Sequence, residues 1–333
     1  MFYFVLAALC AALQVLAAEI PSFSDPFMAE YEGFWSASNG TKGRMTAQVR
    51  PLGNNQYDGF ILLKRAKAPV TAFQLRTSTL ENGTVQFEGV TAKEAGGDLL
   101  AQNQVTAQIK NGKLTGKFTG ELGEGTFEAP KSKGKSKTLG AKPPKHAIVL
   151  FDGETASGWK DMTWPIKNGA LEVGQDNLQV KAQHSNFRLH IEFRTPFMPA
   201  ATGQDRGNSG VYLQGKYEVQ VLDSFGIYPL KDNDCGGIYR VKAPGVNATL
   251  PPGQWQTYDI TYLEGNGSSK PRITVALNGV VLMDRVEIPA ALIEKGTGGG
   301  TSEPGFLMLQ NHGNPVQFRN VWAQPIYSSQ KLR

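Results

Sequence analysis

Polar and apolar residues alternate in several short segments of the second half of this chain, a pattern typical of β-strands with one buried face. Residues 187–194 read Phe-Arg-Leu-His-Ile-Glu-Phe-Arg, and residues 217–221 read Tyr-Glu-Val-Gln-Val. Residues 273–283 form a hairpin pattern around Asn278-Gly279, and a strand over 306–312 is predicted to place Gln310 and His312 on one face. These segments together predict an antiparallel β-sandwich over residues 146–327.

The first half shows a meander of shorter predicted strands. They are Arg44–Arg50, Gln56–Lys64, Val85–Glu88, Gln104–Lys110 and Lys113–Phe118. Asn82-Gly83 and Asn111-Gly112 predict tight hairpins, because a type I′ turn needs positive φ at both central residues. Residues 19–130 are therefore interpreted as a small accessory all-β domain, meander-like or barrel-like, with no catalytic constellation. Its aromatic residues Tyr31, Trp35 and Tyr57 fit either stacking on sugars or packing in a core.

The ends and the middle of the chain differ from these β-segments. Residues 1–18 are apolar and end in small residues, so they are predicted to be a signal peptide of a secreted or periplasmic protein. Residues 131–145 hold six lysines, no acid and Pro143-Pro144, which predicts a flexible, solvated linker. Residues 328–333 are interpreted as a tail.

The formal charge of +5 does not indicate a nucleic-acid partner. Removing the six lysines of 131–145 leaves the rest of the chain near neutral, at −1. After loss of the signal peptide only Cys235 remains, so no intrachain disulfide is expected, and a buried thiol is favoured over a reactive one. The sequence gives no indication of oligomeric state.

No cofactor is expected from the motifs of this chain. There is no glycine-rich nucleotide loop, and the four histidines (146, 184, 190 and 312) are isolated from one another and from any cysteine pair at ligand spacing. Calcium held by Asp223, Asp232 and Asp234 is left open without direct support.

The side chains along residues 207–223 have a chemistry that an ordinary solvated sheet face lacks. The outward positions carry Tyr212, Gln214, Glu218 and Gln220, which make several directional hydrogen bonds, as a sugar-binding surface requires. Glu218 and Asp223 are an odd number of residues apart. A β-bulge near Val221-Leu222 is predicted to bring them to one face.

A set of motifs in a fixed order over about 180 residues carries a family resemblance. The motifs are Leu150-Phe151-Asp152-Gly153, Gly158-Trp159, residues 187–194, Gly207-Asn208-Ser209-Gly210-Val211, residues 217–223, Gly253-Gln254-Trp255, Leu277-Asn278-Gly279, residues 305–313 and residues 316–321. The chain resembles the 3-keto-disaccharide hydrolases, which have a concanavalin-like jelly-roll fold. The resemblance does not cover residues 19–145.

This resemblance implies a disaccharide or glycoside whose sugar has already been oxidised to a ketone at C3 by a separate oxidoreductase. The ketone acidifies the C2 proton, a base removes it, the C1 substituent leaves by β-elimination, and water adds back.

The predicted catalytic residues are Glu218, His312, Arg194 and Glu192. Glu218 or His312 is the candidate base, and Arg194 is the candidate stabiliser of the enolate oxygen. A structural Glu192–Arg194 pair across the sheet is the alternative. The predicted substrate-binding residues are Asn208, Gln220, Gln310, Asp223 and Tyr212, with Asp223 a candidate to orient His312 or Arg194. His190 is a second candidate acid–base group.

Two other functions are compatible with the same residues. A lectin-like module would share the fold and the polar face but perform no chemistry. A laminarinase-type endoglucanase would use a Glu-x-Asp-x-x-Glu strand, which residues 218–223 echo. Gln220 cannot ionise and Asp223 is shorter than the glutamate it replaces. These two changes argue against such an enzyme, because a retaining glycosidase needs two carboxyl groups about 5–5.5 Å apart.

Overall fold

The computed structural model describes residues 25–66, 70–91, 103–266, 268–301 and 305–327. The predicted signal peptide and the predicted tail lie outside these residues. The strands are β1 (Ala29–Ala37), β2 (Lys42–Gly53), β3 (Gln56–Lys64), β4 (Thr71–Glu81), β5 (Thr84–Thr91), β6 (Gln104–Lys110), β7 (Lys113–Thr119), β8 (Gly125–Pro130), β9 (Ile148–Phe151), β10 (Ile166–Lys167), β11 (Ala170–Glu172), β12 (Leu178–Gln179), β13 (Asn186–Arg194), β14 (Ser209–Leu213), β15 (Tyr217–Val221), β16 (Gln256–Leu263), β17 (Arg272–Leu277), β18 (Val280–Glu287), β19 (Leu307–Leu309) and β20 (Gln317–Pro325). A 3₁₀-helix (Gly203–Asp205) and one short helix, α1 (Ala290–Ile293), complete the description. Within the described residues no helix is long and apolar enough to cross a membrane.

Strands β1 to β8 form a closed antiparallel barrel in which each strand pairs with the next and β8 pairs with β1. The predicted turns are confirmed: φ is +48° at Asn82 and +51° at Asn111, and the glycine that follows each is also positive. The three aromatic residues that fitted two roles, Tyr31, Trp35 and Tyr57, are buried in the barrel interior. They therefore pack the core of this domain.

The remaining strands form two facing antiparallel sheets. The larger sheet has the order β10-β11-β20-β13-β16-β17-β18, with β9 on β20, and the smaller has the order β12-β19-β14-β15. Alternate residues of both sheets meet in one apolar core, with Ile191 and Phe193 of β13 on one side and Val211 and Val219 of the smaller sheet on the other. The prediction of an all-β protein, a β-sandwich preceded by a barrel-like domain, is confirmed.

The expectation of a flexible, solvated linker is wrong for residues 136–141. The Thr138 hydroxyl donates to Asp259 over 2.7 Å, and the Gly140 amide donates to Glu192 over 2.6 Å. The Ala141 carbonyl accepts from the indole of Trp322 over 3.2 Å. The lysine-rich composition hid this, because the residues that dock are the small and hydroxyl-bearing ones between the lysines.

Candidate active site

The outer face of the smaller sheet carries a buried carboxylate opposite a buried tyrosine. Val219 and Val221 of β15 face the core, so Glu218 and Gln220 face the other way, as predicted. Tyr212 of β14 is the direct cross-strand partner of Glu218, and its hydroxyl lies 2.8 Å from Glu218 Oε2. Only 4% of Glu218 is exposed. β14 pairs with β15 on one side and with β19 on the other, and this pairing fixes the positions of Tyr212 and Glu218.

Burial raises the pKa of Glu218 to about 7, and the hydrogen bond from Tyr212 offsets only part of this effect. No cation among the described residues contributes to holding it ionised. A structural buried carboxylate normally has a cationic partner. A carboxyl group that titrates near neutrality has the property needed for general acid–base chemistry.

The Tyr212 hydroxyl is the centre of a small network. It lies 2.9 Å from the Gly298 carbonyl, and the Gln310 amide nitrogen donates to it over 3.3 Å. Gln310 Oε1 is buried and has no hydrogen-bond partner in the described part of the chain. This oxygen is therefore an acceptor available to a ligand hydroxyl. A Cβ at Gly210 would collide with the Glu218 carboxylate, so the space above β14 depends on that glycine.

A chain of side-chain amides continues the polar surface from Gln220. Its amide nitrogen donates to Asn208 Oδ1 over 2.9 Å, and Asn208 Nδ2 donates to the carbonyl of Gln204 over 2.9 Å and to its side chain over 3.1 Å. The structure thus brings Glu218, Tyr212, Gln220, Asn208 and Gln310 together. These five residues are called the Glu218 cluster below.

Two neighbours of the cluster carried no motif in the sequence. Arg240 lies over the ring of Tyr239, 5.3 Å from its centroid, and its guanidinium is 3.5 Å from the position of a Cβ on Gly298. The Tyr239 amide donates to the Glu218 carbonyl. A loop connection brings Arg240 here, and the loop's lack of periodicity left no signal. The positive φ of Arg240, +59°, belongs to that loop.

His312 lies close to the cluster in the chain but not on a strand. β19 ends at Leu309, so the predicted strand over 306–312 is wrong beyond that residue. The loop stays near the sheet because the Gln310 amide donates to the Gly210 carbonyl and Asn314 accepts from the Asn208 amide. His312 itself is exposed. It lies in the loop two residues after Gln310 of the cluster.

Glu192 and Arg194 are not in the same place as Glu218. They lie on β13 of the larger sheet and face away from the core, so the whole apolar core separates them from the Glu218 cluster. Glu192 accepts from Arg319 over 2.7 Å and from the Gly140 amide. Arg194 donates to Gln317 over 2.6 Å. The structure places them in a packing network on the far face, apart from the predicted catalytic group.

The charges of this far-side network are mutually satisfied. Burial alone would raise the pKa of Glu192, but the His190 imidazole, 3.8 Å away, and hydrogen bonds from Asn320, Arg319 and the Gly140 amide lower it to about 2. Burial alone would lower the pKa of His190, yet its hydrogen bond to Asp259 and the nearby carboxylate of Glu192, 3.8 Å from Nε2, raise it. His190 is fully buried and stacked on Trp322, which leaves a substrate no access to it.

Asp223 also lies apart from the Glu218 carboxylate. Strands β14 and β15 pair without a register shift, and β15 ends at Val221, so the predicted bulge does not form. Asp223 is buried and accepts from Arg206 over 2.7 Å. It orients neither His312 nor Arg194. Asp232 and Asp234 accept hydrogen bonds at separate places, from the Arg240 amide and from Ser224.

No group of three or more histidine, cysteine or acidic side chains with metal-binding geometry occurs in the described ranges. Cys235 is buried, 3.1 Å from the Tyr258 hydroxyl, and burial raises the pKa of its thiol to about 11. The thiol is therefore protonated at neutral pH, as expected of a packing residue.

The described residues combine a two-sheet β-sandwich with a hydrogen-bonding cluster on the outer face of its smaller sheet. Residues 146–324 match the family model described as a 3-keto-alpha-glucoside-1,2-lyase-like domain, and the chain belongs to that family. The resemblance inferred from the motifs is thus confirmed, and the chain is a carbohydrate-active protein of glycosyl hydrolase type.

Two solved structures from Parabacteroides distasonis, both of candidate glycosyl hydrolases, are similar to the chain. One is 34% identical with a TM-score of 0.47 and covers 55% of this chain and 85% of its own. The other is 22% identical with a TM-score of 0.42 and covers 54% of this chain and 94% of its own. No match to the chain was found among curated proteins.

Proposed function

We propose that this protein cleaves 3-keto-glycosides, including 3-keto-disaccharides, by β-elimination followed by hydration. The observation that carries the proposal is the buried Glu218 carboxylate, whose pKa is raised to about 7, on a face built from hydrogen-bonding side chains. The family description supplies the substrate class. A separate oxidoreductase would make the ketone beforehand. The elimination needs the C3 ketone to acidify the C2 proton, but no step of this reaction forms that ketone.

Glu218 is the base that removes the C2 proton. The ketone at C3 delocalises the resulting charge, so a carboxylate suffices as the base if its pKa is close to the working pH. A second ionisable carboxylate is not needed, because no glycosyl–enzyme ester forms in an elimination. Gln220, two residues along the same face, then suits the role of a hydrogen-bond donor to the sugar.

The enolate oxygen at C3 needs a positive or hydrogen-bonding partner. Arg194 is on the other side of the core, so the candidate is Arg240, whose guanidinium lies beside Gly298, the residue whose carbonyl accepts from Tyr212. A fixed cation near developing negative charge lowers the barrier. Asn208, Gln220 and the unpartnered Gln310 Oε1 are the groups that would hold the hydroxyls of the sugar.

Departure of the C1 oxygen is the step in which His312 can act. Its exposed imidazole can protonate the leaving oxygen, after which water adds to the unsaturated sugar. The atoms balance: the C2 hydrogen leaves as a proton, the C1–O bond breaks, and one water molecule restores the C2–H and the C1–OH.

The test is turnover of a 3-keto-glucoside beside its unoxidised parent in D₂O. We expect aglycone release from the keto compound alone and deuterium at C2 of the sugar product, above the exchange of that product incubated without enzyme. Glu218→Gln should lower turnover by ~10²–10⁴-fold, and Arg240→Met should lower it with partial recovery in Arg240→Lys. Glu264→Gln, an exposed acid on the same domain, is the matched control.

Undiminished turnover by Glu218→Gln would remove the base from the proposal. Equal cleavage of the unoxidised parent would point to an ordinary glycosidase. Saturable binding of the keto compound without turnover by the wild type would point to a lectin-like module.

A further inference from the structure

The outer face of two barrel strands is buried although it points away from the barrel core. Gln48 of β2 and Phe60 of β3 are cross-strand partners, and both are at most 1% exposed. Ala47 and Ile61 beside them face the barrel interior. A buried glutamine on the outside of a barrel needs a covering partner, and the sandwich domain provides it.

The Gln48 side chain is hydrogen-bonded to the sandwich domain both as a donor and as an acceptor. Its side-chain nitrogen donates to the Thr249 carbonyl over 3.2 Å, and its oxygen accepts from the Gly226 amide over 3.0 Å. The ring of Phe60 packs on Tyr228, with centroids 5.5 Å apart. Breaking this contact would leave buried backbone groups unpaired, so the two domains are held in one arrangement.

A second connection passes through Arg206, which is 1% exposed. Its guanidinium donates to the Pro51 carbonyl of the barrel over 3.3 Å and to the Pro199 carbonyl over 2.9 Å. Its Nε donates to Asp223. Arg206 thereby ties residues 199–208, called the 199–208 loop below, to the end of β2.

The 199–208 loop also forms one side of the Glu218 cluster. It contains Gln204 and Asn208, and Asn208 holds the side-chain amide of Gln220. Hydrogen bonds and the loop backbone therefore connect the Pro51 carbonyl, through Arg206 and Asn208, to Gln220 on the strand that carries Glu218.

We propose that the barrel is a positioning element for the candidate active site: docked through Gln48, Phe60 and Pro51, it fixes the 199–208 loop and so sets Asn208 and Gln220 for substrate. The inference rests on the proposed function for its effect on turnover. Its structural part, that docking orders the loop, stands on the contacts alone. Gln48, Phe60 and Arg206 are thus positioning residues, which act through Asn208 and Gln220.

The test is amide hydrogen exchange of the full-length protein with Gln48→Leu and, separately, Phe60→Ala. Both side chains lie outside the barrel core, so the barrel itself should stay folded. The matched control is Gln108→Leu, an exposed outward residue of β6. We expect exchange in the peptide covering residues 199–208 to become at least about tenfold faster in both interface variants and to be unchanged in the control.

Kinetics on a 3-keto-glucoside provide the second readout. KM should rise at least about threefold in the interface variants, while the pH midpoint set by Glu218 stays in place, because the loop binds substrate and does not tune that carboxyl group. Unchanged exchange of the loop in both folded variants overturns the positioning inference. Faster exchange with no turnover even by the wild-type protein keeps loop ordering and rejects the proposed function instead.

Discussion

Tyr212 and Glu218 face each other on β14 and β15, and the tyrosine hydroxyl lies within hydrogen-bonding distance of both Glu218 Oε2, at 2.8 Å, and the Gly298 carbonyl, at 2.9 Å. A hydroxyl has one proton, so it can donate to only one of them at a time. When Glu218 is ionised, Tyr212 donates to the carboxylate. When Glu218 is protonated, it donates to Tyr212, which then donates to Gly298. The network can therefore satisfy Glu218 in both its ionised and its protonated form. A general base that takes a proton and later returns it needs both forms to be accommodated.

The ionisation of Glu218 should make stability depend on pH. Its pKa is about 7 in the folded protein against 4.5 for an ordinary glutamate, so between these values the folded state binds more protons than the unfolded state. The contribution of Glu218 to stability therefore falls as pH rises from about 4.5 to about 7, by on the order of 3 kcal/mol, and is level above that. Denaturant unfolding of Glu218→Gln should lack this slope, whereas Glu264→Gln should keep it. The same slope in both variants would contradict the assignment.

Tyr212→Phe should shift the pH dependence of turnover. The tyrosine's hydrogen bond lowers the pKa of Glu218, so its removal raises that pKa further. We expect the acidic limb of kcat/KM to move to higher pH by about one unit. Tyr217→Phe is the control, since the Tyr217 hydroxyl donates to the Ile293 carbonyl, away from the cluster. If the acidic limb of kcat/KM does not move in Tyr212→Phe, the pKa that it reports belongs to a group other than Glu218.

His312→Ala should affect substrates according to their leaving group. If His312 protonates the departing oxygen, an alkyl 3-keto-glucoside should lose about 10²-fold in kcat. A nitrophenyl 3-keto-glucoside, which leaves as a stable phenolate, should lose little. Comparing the two substrates on one variant preparation removes differences in folding from the result. An equal loss on both substrates would assign His312 a role other than acid catalysis.

Glu192→Gln should reduce stability and spare the chemistry. The pKa of Glu192 is lowered to about 2, so its ionised form stabilises the fold above pH 4.5, and this contribution is lost as pH falls towards 2. On the order of 3 kcal/mol should disappear from the unfolding free energy at pH 7. Turnover of the folded variant, and of Arg194→Met, should stay within about threefold of wild type, because the core separates both residues from Glu218. A loss of about 100-fold in either would return them to the catalytic group.

Arg206→Met should be strongly destabilising, since it leaves Asp223 buried without its partner. Breaking a buried ion pair costs ~3–5 kcal/mol. The double variant Arg206→Met/Asp223→Leu should recover much of this, because no unpaired charge remains. Thermal unfolding of the two variants beside the wild type measures the difference. If the double variant is no more stable than the single one, the bonds from Arg206 to the Pro51 and Pro199 carbonyls are the larger contribution.

The amino-acid sequence by itself determined the alternating strands over 187–194 and 217–221, the Asn-Gly turns and the inward or outward direction of the side chains in those strands. These follow from local chemistry: the two-residue repeat of a β-strand and the positive φ that Asn-Gly turns accept. Only the tertiary structure decided which outward faces meet. The alternation of 187–194 is as regular as that of 217–221, yet the two strands enter opposite sheets, so Glu192 and Arg194 lie across the core from Glu218. Arg206, in the 199–208 loop, contacts both Asp223 and the Pro51 carbonyl of the barrel. Arg240 lies next to the Glu218 cluster because a second loop places it there. A repeat along the chain specifies the face of a strand, whereas pairing between distant strands specifies which faces become one site.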